Sequence, residues 1–209
     1  MKRFSRVSSN NLSPRPLANN KTLFRFRGDA PEAVFERMPP LRAPRKIHVS
    51  FRPHLTAYRG KLLSKSPKGD AVYAGCFLRK RQIVLDEQML KTPRVLERIF
   101  VHEVFHFVWS KLGASLRASF EELLREEAAC GVLGELGWSA ESMKLQLTKA
   151  DVQNGTRRWK DYACESFCDT AGWLFGSARQ YSEMTLGREE RDARRRWFRD
   201  QLGDRALSI

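Results

Sequence analysis

Two histidines and a glutamate lie within five residues of one another in an apolar stretch of the chain. His102 and His106 are four residues apart with Glu103 between them, an HExxH pattern that places both imidazoles on one face of a helix. The surrounding residues 92–113 are apolar nearly all round, which predicts a buried helix. Burying these side chains is costly unless they have partners. A Zn²⁺ ion held by the two imidazoles, with Glu103 as the general base facing its water, would satisfy all three.

A catalytic zinc site needs a third protein ligand, and no histidine follows His106. Two carboxylates are therefore candidates, Glu165 and Glu126. Glu165 precedes Asp169 by four residues in a mainly apolar stretch, so Glu165 can bind zinc while Asp169 accepts the free ring N–H of a histidine ligand. Glu126 belongs to a charged helix face and has Cys130 in the corresponding position. The pattern favours Glu165 as the third ligand and keeps Glu126 as the alternative.

The HExxH pattern followed by Glu165-x-x-x-Asp169 resembles the gluzincin class of zinc metallopeptidases. The late apolar Glu-x-Phe-x-acid helix is similar to the toxin-type branch that includes lethal factor catalytic domains, over about residues 70–175. This resemblance implies a zincin-like fold, with a small sheet above the HExxH helix, a helical part below it and a cleft between them. It also implies a peptide or protein substrate that pairs with an edge strand at residues 72–78.

Enzymes of this class usually carry a tyrosine or a histidine that stabilises the transition state. For that role the resemblance leaves Tyr162, Tyr58 and His54 as candidates. The resemblance therefore implies hydrolysis of a peptide bond, with zinc as the cofactor.

The order of the predicted elements indicates the fold class, because the strand patterns come first and the helix patterns follow. Alternating or apolar runs bounded by turn residues predict strands over residues 46–51, 56–63, 71–78 and 82–85. Helical periodicity predicts helices over residues 92–113, 119–135, 139–147, 162–175 and 187–202, the last mostly on the surface. Strands followed by helices indicate an α+β domain.

The positive charge of the chain is concentrated before this helical half. The net charge is +14, and residues 1–91 contain 20 of the 38 basic residues but only 6 of the 24 acidic residues. Residues 1–43 are rich in Ser, Asn, Pro and Arg, which predicts a basic, largely flexible arm before a catalytic domain at residues 44–209. A weak contact between this arm and nucleic acid is therefore expected as one possibility. The alternative function is a non-catalytic, zinc-stabilised module that binds nucleic acid or an acidic partner through this basic region.

The four cysteines and the hydropathy indicate the compartment. Cys76, Cys130, Cys164 and Cys168 form no CxxC pair, which is typical of reduced thiols in a cytoplasmic protein. No apolar run has the roughly 18–20 residues that a membrane span needs, and the N-terminus lacks the apolar segment of a secretory signal. We therefore expect a cytoplasmic protein without a membrane span.

Overall fold

The computed structural model describes residues 19–28, 30–203 and 205–209, which form a mixed α+β fold. The strands are β1 (Phe24–Arg27), β2 (Leu41–Arg42), β3 (Ile47–Arg52), β4 (Leu55–Tyr58), β5 (Lys61–Ser64), β6 (Asp70–Ala71), β7 (Ala74–Phe77), β8 (Gln82–Asp86) and β9 (Leu207–Ser208). The helices are α1 (Val34–Arg37), α2 (Pro93–Lys111), α3 (Ala114–Ala129), α4 (Trp138–Lys144), α5 (Lys149–Asn154), α6 (Arg157–Phe175) and α7 (Arg188–Trp197). The predicted α+β class is confirmed.

The largest sheet has four strands in the order β1-β3-β8-β7. Strands β1, β3 and β8 are parallel, whereas β7 is antiparallel to β8 and lies at one edge. Ile47 and Val49 of β3 are buried with His48 exposed between them, the alternation expected of a strand that covers a core with one face. A three-stranded antiparallel sheet, β5-β4-β6, packs against the edge strand, where the Leu62 side chain lies over Gly75.

Helices α2 and α6 form the centre of the helical part and pack against each other. Pro93 occupies the first turn of α2, where its missing N–H costs nothing. Thr92 directly precedes the helix, and its side chain makes no capping hydrogen bond. The buried apolar residues of α2, among them Phe100 and Phe105, fill the space between the sheet and α6. The apolar character of α2 therefore reflects burial on several sides.

The predicted flexible arm at residues 1–43 is wrong from residue 19 onward. Strand β1 pairs in parallel with β3, and Phe24 packs with Phe35 of α1 and Phe100 of α2. The alternation Phe-Arg-Phe-Arg gives β1 one apolar face and one charged face, so a strand with two arginines still contributes to the core. Residues 1–18 of the predicted arm lie outside the described residues.

Other helices and strands also differ from the predictions. Residues 56–63 form a hairpin of two strands instead of one extended stretch, α3 runs from Ala114 to Ala129 instead of over residues 119–135, and α5 was not predicted. The predicted surface helix at residues 187–202 contains Arg194, which is fully buried. Within the described residues, no helix combines the length and the hydropathy needed to cross a bilayer.

Candidate metal centre

The facing surfaces of α2 and α6 bring together His102, His106 and Glu165. The two Nε2 atoms of the histidines lie 3.1 Å apart. The Glu165 carboxylate lies 3.4 Å from His102 Nε2 through one oxygen and 3.7 Å from His106 Nε2 through the other. The three side chains therefore direct their Lewis-basic atoms at one point, and they form a buried or half-buried group that could hold a metal ion.

The separations within this group fit the ligand shell of a zinc ion. Zn–N and Zn–O bonds of roughly 2.0–2.2 Å at tetrahedral angles place neighbouring ligand atoms about 3.3–3.5 Å apart. The observed separations of 3.1, 3.4 and 3.7 Å lie around that range. Two imidazoles and one carboxylate are also the donor types of known three-ligand catalytic zinc sites. The residues thus fit the metal that the sequence predicts.

Asp169 fixes the orientation of the first histidine. Its Oδ1 atom accepts a hydrogen bond of 2.8 Å from His102 Nδ1, so the Nε2 atom is directed at the metal centre. Gly137 packs directly on this carboxylate, since a Cβ atom added there would lie 2.4 Å from each carboxylate oxygen and from Cγ. Its φ of −168° is open to any residue, so it is the lack of a side chain that matters at this position. The sequence indicated Asp169 but gave no signal for Gly137.

Glu103 is buried beside the candidate metal ligands. Burial raises the pKa of its carboxyl group, and the charges of His102 and His106 act in the opposite direction. A raised carboxyl pKa moves the group toward the operating pH, which suits a residue that must accept a proton and release it again.

The anionic form of Glu165 suits metal binding, whereas His102 would have to release a proton to bind a metal ion. Burial by itself would raise the pKa of Glu165, but hydrogen bonding to His102, the charges of both histidines and a hydrogen bond with Ser139 lower it to about 2. Glu165 is therefore an anion at neutral pH, the form that binds a cation. Burial would lower the pKa of His102, yet Asp169 and Glu165 raise it well above its ordinary value.

Three cysteines surround the same centre, and the sequence had assigned them no role in it. The Sγ atoms of Cys164 and Cys168 each lie 3.5 Å from His106 Nδ1. Cys76 of β7 has its pKa raised, first by burial and then by the charges of Glu103, Cys164 and Glu165. The spacing of Cys164 and Cys168 on either side of Glu165 was the signal available in the sequence. His106, Cys164 and Cys168 form a second group that could hold a metal ion.

The remaining predicted site residues do not join these groups. Glu126 is exposed on α3, away from the two histidines. Tyr162 is buried, and its hydroxyl donates a hydrogen bond of 2.5 Å to Glu135, so it is not free to stabilise a transition state at the metal centre. His54 lies in the turn before β4 with its Nδ1 3.2 Å from Gln88, and Tyr58 packs against the turn at Gly69. The role expected for Tyr162 is therefore not supported, and the roles expected for Tyr58 and His54 stay predictions.

Comparison with protein-family models, with curated proteins and with solved structures found no match to this chain. The functional inference therefore depends on the residues of the metal centre and on their geometry.

Proposed function

We propose that the protein is a zinc-dependent metallopeptidase of the gluzincin type, with a zincin-like fold. The observation that carries this proposal is the convergence of His102, His106 and Glu165 beside the buried carboxyl group of Glu103. A purely structural zinc site has no use for a buried base beside its ligands. When bound, zinc supplies a water of lowered pKa and polarises the carbonyl group of the peptide bond.

The protein residues have separate tasks in this reaction. Glu103 takes the proton of the attacking water and passes it to the leaving amine. Asp169 holds His102 in the tautomer whose Nε2 is free, through the hydrogen bond of 2.8 Å. Glu165 completes the ligand set with an oxygen, and its low pKa keeps it ionised at neutral pH.

The proposed substrate is an extended peptide or protein segment. Strand β7 pairs with β8 on one side and forms the edge of its sheet, a position from which backbone groups can pair with an added strand. Strand β7 contacts α2, the helix that carries Glu103 and both histidines. On α4, Trp138 is 68% exposed and stands between Gly137 and Ser139, which both contact the centre. It offers apolar surface to a substrate side chain.

The proposed location is the cytoplasm, where the thiols of Cys164 and Cys168 stay reduced.

Hydrolysis of a peptide library by the full chain, with the zinc content measured for each variant, tests the proposal. Glu103→Gln is expected to lower kcat by roughly 10²- to 10⁴-fold, the usual contribution of a general base, while the zinc ion at His102, His106 and Glu165 stays bound. Glu165→Ala is expected to lose this zinc ion and the activity together. Glu126→Ala is the matched control, since this exposed glutamate should leave both unchanged.

Full activity of Glu103→Gln on a cleaved peptide would show that the assignment of the base is wrong. Zinc loss in Glu126→Ala but not in Glu165→Ala would show that Glu126, and not Glu165, is the third ligand. The alternative function, a zinc-stabilised module whose basic N-terminal region binds nucleic acid or an acidic partner, predicts bound zinc without peptide hydrolysis in any variant. It also predicts binding to DNA or RNA that weakens steeply with salt.

A further inference from the structure

The geometry points to a second metal site, in which Cys164 Sγ, Cys168 Sγ and His106 Nδ1 bind a thiophilic divalent ion. This site lies on the other side of the His106 ring from the proposed catalytic zinc. It goes beyond the proposed function, because its ligands include two thiolates that peptide hydrolysis does not use.

The three atoms are already spaced as neighbouring ligands of one ion. Zn–S bonds of about 2.3 Å and Zn–N bonds of about 2.0–2.1 Å at a tetrahedral angle place the sulfur and nitrogen atoms about 3.5 Å apart. Both cysteine sulfurs lie 3.5 Å from His106 Nδ1. The two sulfurs lie within 4.8 Å of each other, against about 3.8 Å in a regular zinc tetrahedron. A small movement of the thiols would therefore complete three corners of the site.

The helices explain why this arrangement is preformed. Cys164 and Cys168 are four residues apart on α6, so their side chains lie on one face, one turn apart. His106 of α2 directs Nε2 at His102 and Glu165, and its Nδ1 therefore faces the two thiols. Opposite nitrogens of one ring serve the two groups, so the two ions would not compete for a ligand atom.

The two histidines of the HExxH segment differ in what holds their second nitrogen. Asp169 accepts the Nδ1 hydrogen bond of His102, which is the usual device for orienting a metal ligand. His106 Nδ1 meets two sulfurs instead, and a thiol sulfur is only a weak hydrogen-bond acceptor. Two thiols are a poor substitute for a carboxylate as an orienting partner. They are good ligands, because soft sulfur donors favour thiophilic divalent ions such as zinc.

Binding at this site exchanges protons for metal. Each thiol and the Nδ1–H group of His106 give up a proton to solvent, and the ion takes the three electron pairs, so no electron is transferred and no co-reactant is needed. With both groups loaded, His106 would hold one ion through Nε2 and the other through Nδ1, as an imidazolate. Since the two cations would share one ring, an ion bound by the thiolates would change the electrostatic environment of the catalytic site.

Cobalt titration of the metal-free full chain tests this inference. Co²⁺ is the probe because bonds to thiolates give a charge-transfer absorption that imidazole and carboxylate ligands do not give. All variants carry Cys130→Ser, which removes the exposed thiol. With all other residues unchanged, the chain should bind two equivalents and show the charge-transfer band. The Cys164→Ser/Cys168→Ser double variant should bind one equivalent and lose the band, with an unchanged circular dichroism spectrum.

Two further variants make the result specific. Cys76→Ser, the matched thiol control, should keep both equivalents and the band, because Cys76 is in neither group. Glu165→Gln should lose the first site and keep the band. Any of four results would overturn the inference. The band could be absent before any ligand is changed, it could persist in the double variant, it could be lost in Cys76→Ser, or the chain could bind a total of one equivalent. Peptide hydrolysis without the band would refute the second site alone, and the band without hydrolysis would refute only the proposed function.

Discussion

The protein buries charged side chains in two places, and the two places are built differently. In the ion-pair cluster, the fully buried Arg194 lies between Glu127 and Glu135 and donates two hydrogen bonds of 2.6–2.9 Å to each. In the metal centre, His102, His106 and Glu165 direct their basic atoms at one point. The first cluster contains its own cation, whereas the second gathers groups that bind one.

The partners of the carboxylates show this difference most directly. Glu135 also accepts hydrogen bonds from Tyr162 and Ser166 and lies 3.6 Å from Lys144 Nζ, so both of its oxygens are satisfied. Among the described residues, the ion pairs of Glu165 and Asp169 involve only histidines. The nearest positive charges to these buried anions are therefore imidazoles, which can lose their protons. A metal ion can replace those protons as the neighbouring positive charge.

The two clusters differ in how the free-energy cost of burying a charge is offset. A buried charge costs free energy in either place, and a fixed guanidinium offsets that cost permanently. In the metal centre, this cost is offset by protons or by an added cation. The free energy of this centre therefore depends on the pH and on the metal ions present. Burial of charge alone therefore does not identify a site, but burial of several bases without a fixed cation does.

The largest effect is expected from breaking the ion-pair cluster. Arg194→Leu leaves Glu127 and Glu135 buried without their main cation, and it should lower the free energy of unfolding by roughly 3–5 kcal/mol. Urea denaturation followed by circular dichroism measures this change. Arg188→Leu on the same helix is the matched control, since its side chain is 87% exposed and should change stability by less than about 0.5 kcal/mol. Equal stability of the two variants would show that the cluster does not depend on Arg194.

A smaller effect is expected from acid. Burial would raise the pKa of Glu135, but the charge and hydrogen bonds of Arg194, with Lys144 and Tyr162, lower it from 4.5 to about 2. A carboxyl group with a lowered pKa in the folded state stabilises the fold above its unfolded pKa. This stabilisation is lost as the pH falls from about 4.5 through about 2. In metal-free protein, the contribution of Glu135 to the free energy of unfolding, measured by urea denaturation, should fall by roughly 3 kcal/mol over that range.

Glu135→Gln isolates this contribution, because an amide does not titrate. Its free energy of unfolding should fall less than that of the unchanged chain over the same range of pH. Parallel pH profiles for the two proteins would show that Glu135 titrates as it does in the unfolded chain. This would contradict the view that Arg194 compensates it fully.

The parts of the metal centre that the sequence predicted are those with a local pattern. His102 and His106, like Glu165 and Asp169, are four residues apart on a helix, and this spacing alone places each pair on one face. That these two faces meet follows only from the packing of α2 against α6. The apolar character of both helices favoured their contact, which is why the candidate ligand set could be proposed before the fold.

The ion-pair cluster was not predictable in this way. Arg194 belongs to a run of mixed charges at residues 188–196 that is typical of a solvated helix face, and its partners lie 67 and 59 residues earlier. Nothing local distinguishes it from its neighbours Arg195 and Arg196. Strand β1 was missed for a related reason, because two phenylalanines alternating with arginines become a core strand only when β3 lies beside them.

Gly137 belongs to the same class of contacts and gives the smallest of the expected effects. Gly137→Ala would place a Cβ atom 2.4 Å from the Asp169 carboxylate, which must move and release its hydrogen bond to His102 Nδ1. Loss of such a partner typically weakens metal binding by 10- to 100-fold. Zinc affinity, measured by competition with a chelator, should fall by about that factor.

Gly113→Ala is the matched control, because a Cβ atom there meets nothing within 4 Å and φ is −60°. This variant should keep the zinc affinity of the unchanged chain. Crowding at Gly137 also costs stability, so the affinity is compared at a temperature where circular dichroism shows both variants folded. If Gly137→Ala bound zinc as tightly as Gly113→Ala, the orientation of His102 by Asp169 would not contribute to binding. The metal centre would then depend on its three ligands alone, without the supporting contacts that the ion-pair cluster has in full.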